Sequence, residues 1–126
     1  MSADDHKALF RRYFAEGTNQ GSLSVVDEVF ATDYLHHDPA NVDSIGGLDD
    51  VKHHIVTLRS AFPDLQFHIN DEITDGDDIV VRWTATGTHT GDYFGIPPTG
   101  KAFSITGMNH WKMANGKTIE GWVSRD

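Results

Sequence analysis

Eight histidines and nineteen acidic side chains are the groups in this sequence that could move protons or hold a metal ion. The histidines are His6, His36, His37, His53, His54, His68, His89 and His110. Their spacing does not make a metal site. His53 and His54 are adjacent on an expected helix, so they diverge where an i, i+4 pair would converge. The His36-His37-Asp38-Pro39 run lacks the partner spacing of a zinc signature. An imidazole near neutral pH is better read as an acid, a base or a hydrogen-bond donor. His37, just before Asp38-Pro39, and His89, which shares the inward parity of its strand with Trp83, are the two candidates. A lone histidine of this kind is more often structural than catalytic.

The carboxylates are sorted by the C-terminal hairpin. Asn115-Gly116 is a strong two-residue turn signal. It pairs Ala114 with Lys117 and, counting outward, Trp111 with Glu120, Asn109 with Trp122, Gly107 with Ser124 and Ile105 with Asp126. Side chains alternate strictly along a strand, so these residues are expected on one face together with Phe103 and Met113. That face is apolar, and it would receive Glu120, Asp126 and Asn109. An unpaired carboxylate there is costly, so it is either paired or functional. The alternative is that Asn109 and Glu120 satisfy each other and Asp126 is a frayed end. One extra residue in either strand would invert every assignment beyond it.

Other catalytic signatures are missing. There is no nucleophile elbow, no phosphate-binding loop and no dinucleotide fingerprint. Ser104 has no evident base beside it. Zero cysteines exclude disulfides, thiol catalysis and thiolate metal sites. The formal charge of -9 argues against nucleic acid or an anionic membrane as partner, since both need a cationic face. No apolar run approaches the ~20 residues that span a bilayer. The acidic N-terminus does not read as a signal peptide, so the cytoplasm is the expected compartment.

The elements that must position these groups are helical first and extended afterwards. Ser2 and Asp5 resemble a capping box, followed by an apolar stripe of Leu9, Phe10, Tyr13 and Phe14, with Gly17 as the expected stop. A short helix is expected in the segment SLSVVDEVF, capped by Ser22 or Ser24, and YLHHDP is expected to be irregular or extended. A third helix is expected from Leu48 to Phe62, on Val51, Ile55, Leu58 and Phe62. From Leu65 the period changes to two, with strands over 65–74, 79–90, 102–113 and 117–126. The segment GDYFGIPPTGK is expected to be a rigid loop at a pocket lip. At 126 residues this is one α+β domain in which a curved antiparallel sheet wraps against three helices and encloses a pocket.

Taken together, YLHHDP, RSAFPDLQFHI, DGDDIVVRWTATGTHTGDYFGIPPTGK and NGKTIEGW resemble the SnoaL-like polyketide cyclase family, within the nuclear transport factor 2-like (ketosteroid isomerase-like) superfamily. The resemblance runs from about Phe10 to Trp122. It implies a cone-shaped barrel with three N-terminal helices, one SnoaL-like domain over 1–126, and a homodimer or homotetramer formed through the sheet. It implies intramolecular aldol cyclisation or isomerisation of a small hydrophobic carbonyl compound, with no metal and no cofactor. The family's acid/base aspartate follows the E-x-W tryptophan, which carries that role to Asp126. The histidine before Asp-Pro carries to His37. Asn109, His37 or His89 could donate to a developing enolate. A dehydratase or epoxide hydrolase on the same fold is a competing reading, weakened by the outward parity of Arg82. A non-catalytic binder is another, with Tyr13, Phe14, Trp83, Trp111 and Trp122 simply lining the cavity.

Overall fold

A computed structural model describes residues 2–38, 46–93 and 95–125. Three helices pack against a five-stranded curved sheet whose first strand lies between the second and third helices in the chain, the α+β cone that the family resemblance implies. Helix α1 (Ala3–Arg12) opens on the capping box: the Ser2 hydroxyl accepts from the Asp5 amide, and the Asp5 carboxylate accepts from the Ser2 amide. Gly17 does not stop it. The chain continues as a π-helical turn over Tyr13–Thr18, closed by a bond from the Asn19 amide to the Phe14 carbonyl. The wider turn buries both Tyr13 and Phe14, and the bare Cα of Gly17 lets the Tyr13 ring lie across it. Helix α2 (Leu23–Val29) buries Val25, Val26 and Val29.

The YLHHDP region is more ordered than expected. Phe30–His37 is strand β1, which pairs in parallel with the last strand. Helix α3 (Leu48–Ala61) follows, and Asp50 caps it by accepting from the Gly47 amide at 2.7 Å. Strands β2 (Gln66–Asp75), β3 (Asp78–Thr88), β4 (Ala102–Ala114) and β5 (Lys117–Arg125) form an antiparallel meander, and the sheet order is β1-β5-β4-β3-β2. Among the described residues no helix is long and apolar enough to cross a membrane.

Two bulges decide what faces the core. The β4–β5 hairpin starts in the expected register, with Ala114 opposite Lys117 and Met113 opposite Thr118. Lys112 then pairs with Glu120, so Ile119 is an extra residue. Every facing beyond it is inverted relative to the sequence reading. Gly121, Val123 and Arg125 share the side of Trp111 and Asn109. Glu120, Trp122 and Ser124 share the outer side with Met108, His110 and Lys112. The same happens at Asn70 in β2: Glu72 turns toward the helices, where Arg11 holds it at 2.7 Å, and Ile73 becomes 65% exposed.

The core is aromatic. Phe10 stacks on Trp111 at 4.1 Å and 9°, and Tyr13 meets Phe30 edge-on at 5.2 Å. Such pairs add about 0.5–1.5 kcal/mol each beyond simple burial. These contacts tie α1 and the π turn to the sheet and leave a hollow between sheet and helices.

Candidate active site

That hollow is a cavity of about 690 Å³. Its wall is largely apolar: Tyr13 and Phe14 from the π turn, and Phe30, Trp83, Phe103, Ile105 and Trp111 from the sheet. Few polar groups interrupt it. Asn109 is 9% exposed, and its Oδ1 accepts from the Trp83 indole N–H at 2.7 Å. With the oxygen engaged, the amide NH₂ is the part of Asn109 that can donate into the cavity. Trp83 itself is admitted by Gly107, since any Cβ there would meet the indole ring.

A second polar group gathers where β1, α3 and β5 meet. His36, Asp38, His54 and Arg125 all line the cavity there. Arg125 Nη2 donates to Asp38 Oδ2 at 2.6 Å. Burial pushes the His36 imidazole below its ordinary range, and Arg125 and His37 add to the effect while Asp38 opposes it. His54 is pushed down to about 4 by desolvation and then by the Arg125 charge. Both imidazoles are therefore neutral at neutral pH, and each can donate and accept at once.

Of the residues singled out from the sequence, Tyr13, Phe14, Trp83, Trp111 and Asn109 line this cavity. His37, Glu120 and Trp122 do not: the inverted facing of β5 turns Glu120 and Trp122 outward, and the alternation of β1 does the same for His37. They form a cluster on the outer side of the sheet. His37 Nε2 and Glu120 Oε2 lie 2.7 Å apart, the His37 ring stacks on Trp122 at 5.3 Å and 13°, and Trp122 touches His110. His110 in turn bonds Asp78 at 2.8 Å. The expectation that Glu120 and Trp122 face the core is corrected accordingly. His89 lies just past the end of β3, against Phe62 and within 3.2 Å of the Thr99 hydroxyl, and is not part of the cavity wall. Asp126 lies outside the described residues. Among the described residues, no three His, Asp or Glu side chains gather as a metal-binding group.

Sequence reasoning missed His36, Asp38, His54 and Arg125. The signal for His36 lay in the alternation of β1: Tyr34 and His36 share a face, and His37 takes the other. It became usable only with the knowledge that this stretch is a strand. Arg125 enters through the bulge, which a single sequence does not announce.

A family model described as SnoaL-like polyketide cyclase matches residues 8–126. No curated protein matches the chain. Among solved structures, AclR from Streptomyces galilaeus, a candidate hydroxylase, is 27% identical with a TM-score of 0.88; the match covers 99% of this chain and 77% of that one. A candidate polyketide cyclase from Acidithiobacillus ferrooxidans is 28% identical with a TM-score of 0.82, covering 100% of this chain and 92% of that one. IdmH from Streptomyces antibioticus, another candidate polyketide cyclase, is 25% identical with a TM-score of 0.84, covering 96% and 91%.

Proposed function

The chain belongs to the SnoaL-like polyketide cyclase family, and on that premise we propose that it catalyses cofactor-independent acid/base chemistry on a small hydrophobic carbonyl compound. The observation that carries this reading is the cavity: an aromatic-walled space of about 690 Å³ whose lining includes Asn109 and the His36–Asp38–His54–Arg125 cluster as hydrogen-bonding groups. A general base removes a proton α to the carbonyl. The electron pair moves onto the carbonyl oxygen, and a neutral donor meets the enolate there. The enolate carbon then attacks a second carbonyl of the same molecule, and the new alkoxide takes up a proton. The product is a ring bearing a β-hydroxy ketone, with no atom gained or lost. The base role is assigned to Asp126, as the family pattern implies. The Asn109 amide and the neutral imidazole of His36 are the donors. Low dielectric in such a cavity raises a carboxylate's pKa and strengthens every hydrogen bond to the enolate, and both favour enolisation.

The elementary step can be tested without knowing the natural substrate. With 1-tetralone in deuterated buffer, and no cofactor added, the wild-type chain accelerates deuterium uptake at the carbon next to the carbonyl. Asp126→Asn removes the acceleration and keeps 1-tetralone binding within a few-fold. Binding without exchange in the wild type would leave the non-catalytic binder as the correct reading. Exchange that survives Asp126→Asn would remove Asp126 as the base. Homo-oligomerisation through the outer sheet face, where Met108 is 47% exposed, is proposed alongside and is read by sedimentation equilibrium.

A further inference from the structure

We propose that His36, rather than its neighbour His37, is the imidazole that meets the substrate, and that Tyr34 is the positioning residue that fixes its proton on Nε2. The inference rests on the acid/base reading of the cavity, but its structural half stands by itself.

Strand alternation separates the two histidines. His36 pairs with Gly121 on the cavity side, and His37 pairs with Trp122 on the outer side. There the His37 ring is occupied, with Nε2 against Glu120 and one face on Trp122. His36 lines the cavity, and its Nδ1 lies 2.8 Å from the Tyr34 hydroxyl.

The direction of that bond follows from the burial of the phenol. A buried O–H needs an acceptor, and the acceptor placed for the Tyr34 hydroxyl is His36 Nδ1 at 2.8 Å. The Tyr34 proton therefore points to His36 Nδ1. Tyr34 is 1% exposed, and burial lifts its phenol above its ordinary range, so it stays a protonated donor. A neutral imidazole whose Nδ1 accepts must carry its proton on Nε2. Asp38, Asp50, Arg125, His37 and His54 are the charged and titratable groups around His36.

Gly121 makes the arrangement possible. Its Cα sits against both Tyr34 Oη and the Trp111 indole, and a Cβ there would lie 3.0 Å from Trp111 Nε1 and inside contact distance of the phenol oxygen. In catalysis the Nε2–H group donates to the carbonyl oxygen as it becomes an enolate. The proton stays on the imidazole throughout, so the ring acts as an electrophile and needs no proton source.

Long-range ¹H–¹⁵N correlation of the imidazole rings in the full chain, near pH 7.5, reads the tautomer directly. The expected result is His36 with Nε2 protonated and Nδ1 bare, and a mixed tautomer in Tyr34→Phe. 2-Naphthol, whose hydroxyl stands in for an enol oxygen, is expected to shift His36 Nε2. His36→Leu weakens 2-naphthol binding about ten-fold, the scale of one net hydrogen bond. His37→Leu changes it less than two-fold. A wild-type His36 protonated on Nδ1 would overturn the inference. So would a 2-naphthol response at His37 with His36 unmoved. Absence of 1-tetralone exchange with the His36 results as expected would remove the catalytic reading and leave this donor assignment in place.

Discussion

Replacing Gly121 by alanine tests the packing that sets the cavity's polar end. The added methyl would lie 2.6 Å from Trp111 Cδ1 and 3.0 Å from Nε1, and closer still to the Tyr34 oxygen. Both rings are held by aromatic neighbours. Tyr34 is 1% exposed and packs on Phe30 at 4.6 Å, while Trp111 is 2% exposed and held by the Phe10 stack at 4.1 Å. Overpacking at such a position costs about 1–3 kcal/mol. Displacing the Tyr34 hydroxyl also forfeits its bond to His36, about 1 kcal/mol more. Together Gly121→Ala is expected to lose about 2–4 kcal/mol in urea denaturation. At about 4 °C per kcal/mol for a chain of this size, Tm falls by roughly 8–16 °C. Gly76→Asn is the control. Gly76 sits in the β2–β3 turn at φ +60° with nothing within 4 Å of an added Cβ, and asparagine tolerates that conformation. It should stay within about 0.5 kcal/mol of wild type, since a surface turn carries no packing cost. A Gly121→Ala protein as stable as the control would refute the close approach of Tyr34, Trp111 and β5 on which the site geometry depends.

Three further outcomes are expected. Asn109→Leu leaves the buried Trp83 indole N–H without its acceptor, which costs about 1–3 kcal/mol in denaturant titration, and loss of the enolate donor slows 1-tetralone exchange about 100-fold. Glu120→Gln on the outer face changes stability by less than about 1 kcal/mol, because the His37–Glu120 pair is partly exposed, and leaves the exchange rate within two-fold. Acid lowers stability through the depressed imidazoles of His36 and His54. The unfolded histidines protonate near pH 6.5 and the folded ones below it, His54 at about 4. Between those values the unfolded chain binds more protons, so stability drops as pH falls through about 6.5 toward 4, and it levels off above about pH 7.5 with respect to these groups. Substituting both by glutamine flattens that slope in pH-dependent urea titrations.

Much of the fold is legible in the residues, and what is not can be traced to single positions. The Ser2–Asp5 capping box, the α3 stripe ending at Pro63 and the Asn115-Gly116 hairpin are local signals, and each forms as local physics requires. Asn115 and Gly116 both take positive φ, as the tight hairpin turn demands. The parallel pairing of β1 with β5 joins segments some eighty residues apart, and no local pattern encodes it. The bulge at Ile119 is the costlier omission. A strict alternation sends Glu120 and Trp122 inward and Arg125 outward, and one unpaired residue reverses all three. The warning was energetic: two-residue pairing put a carboxylate opposite Trp111 on an apolar face, a placement that desolvation disfavours. The bulge relieves it by presenting Gly121 to Trp111. Thus Asn109 and the aromatic wall could be found from the sequence, and the His36–Asp38–His54–Arg125 cluster could not.

The proposed carbonyl chemistry belongs to the cavity between helices and sheet, not to the His37–Glu120–Trp122 cluster outside it. A crystal structure of the full chain with 1-tetralone tests this most directly. The bicyclic ring is expected between the Tyr13–Phe14 and Trp83–Trp111 walls, with its carbonyl oxygen within hydrogen-bond distance of His36 Nε2 or the Asn109 amide. A ligand seated on the outer face against Trp122, with the cavity filled only by solvent, would contradict it.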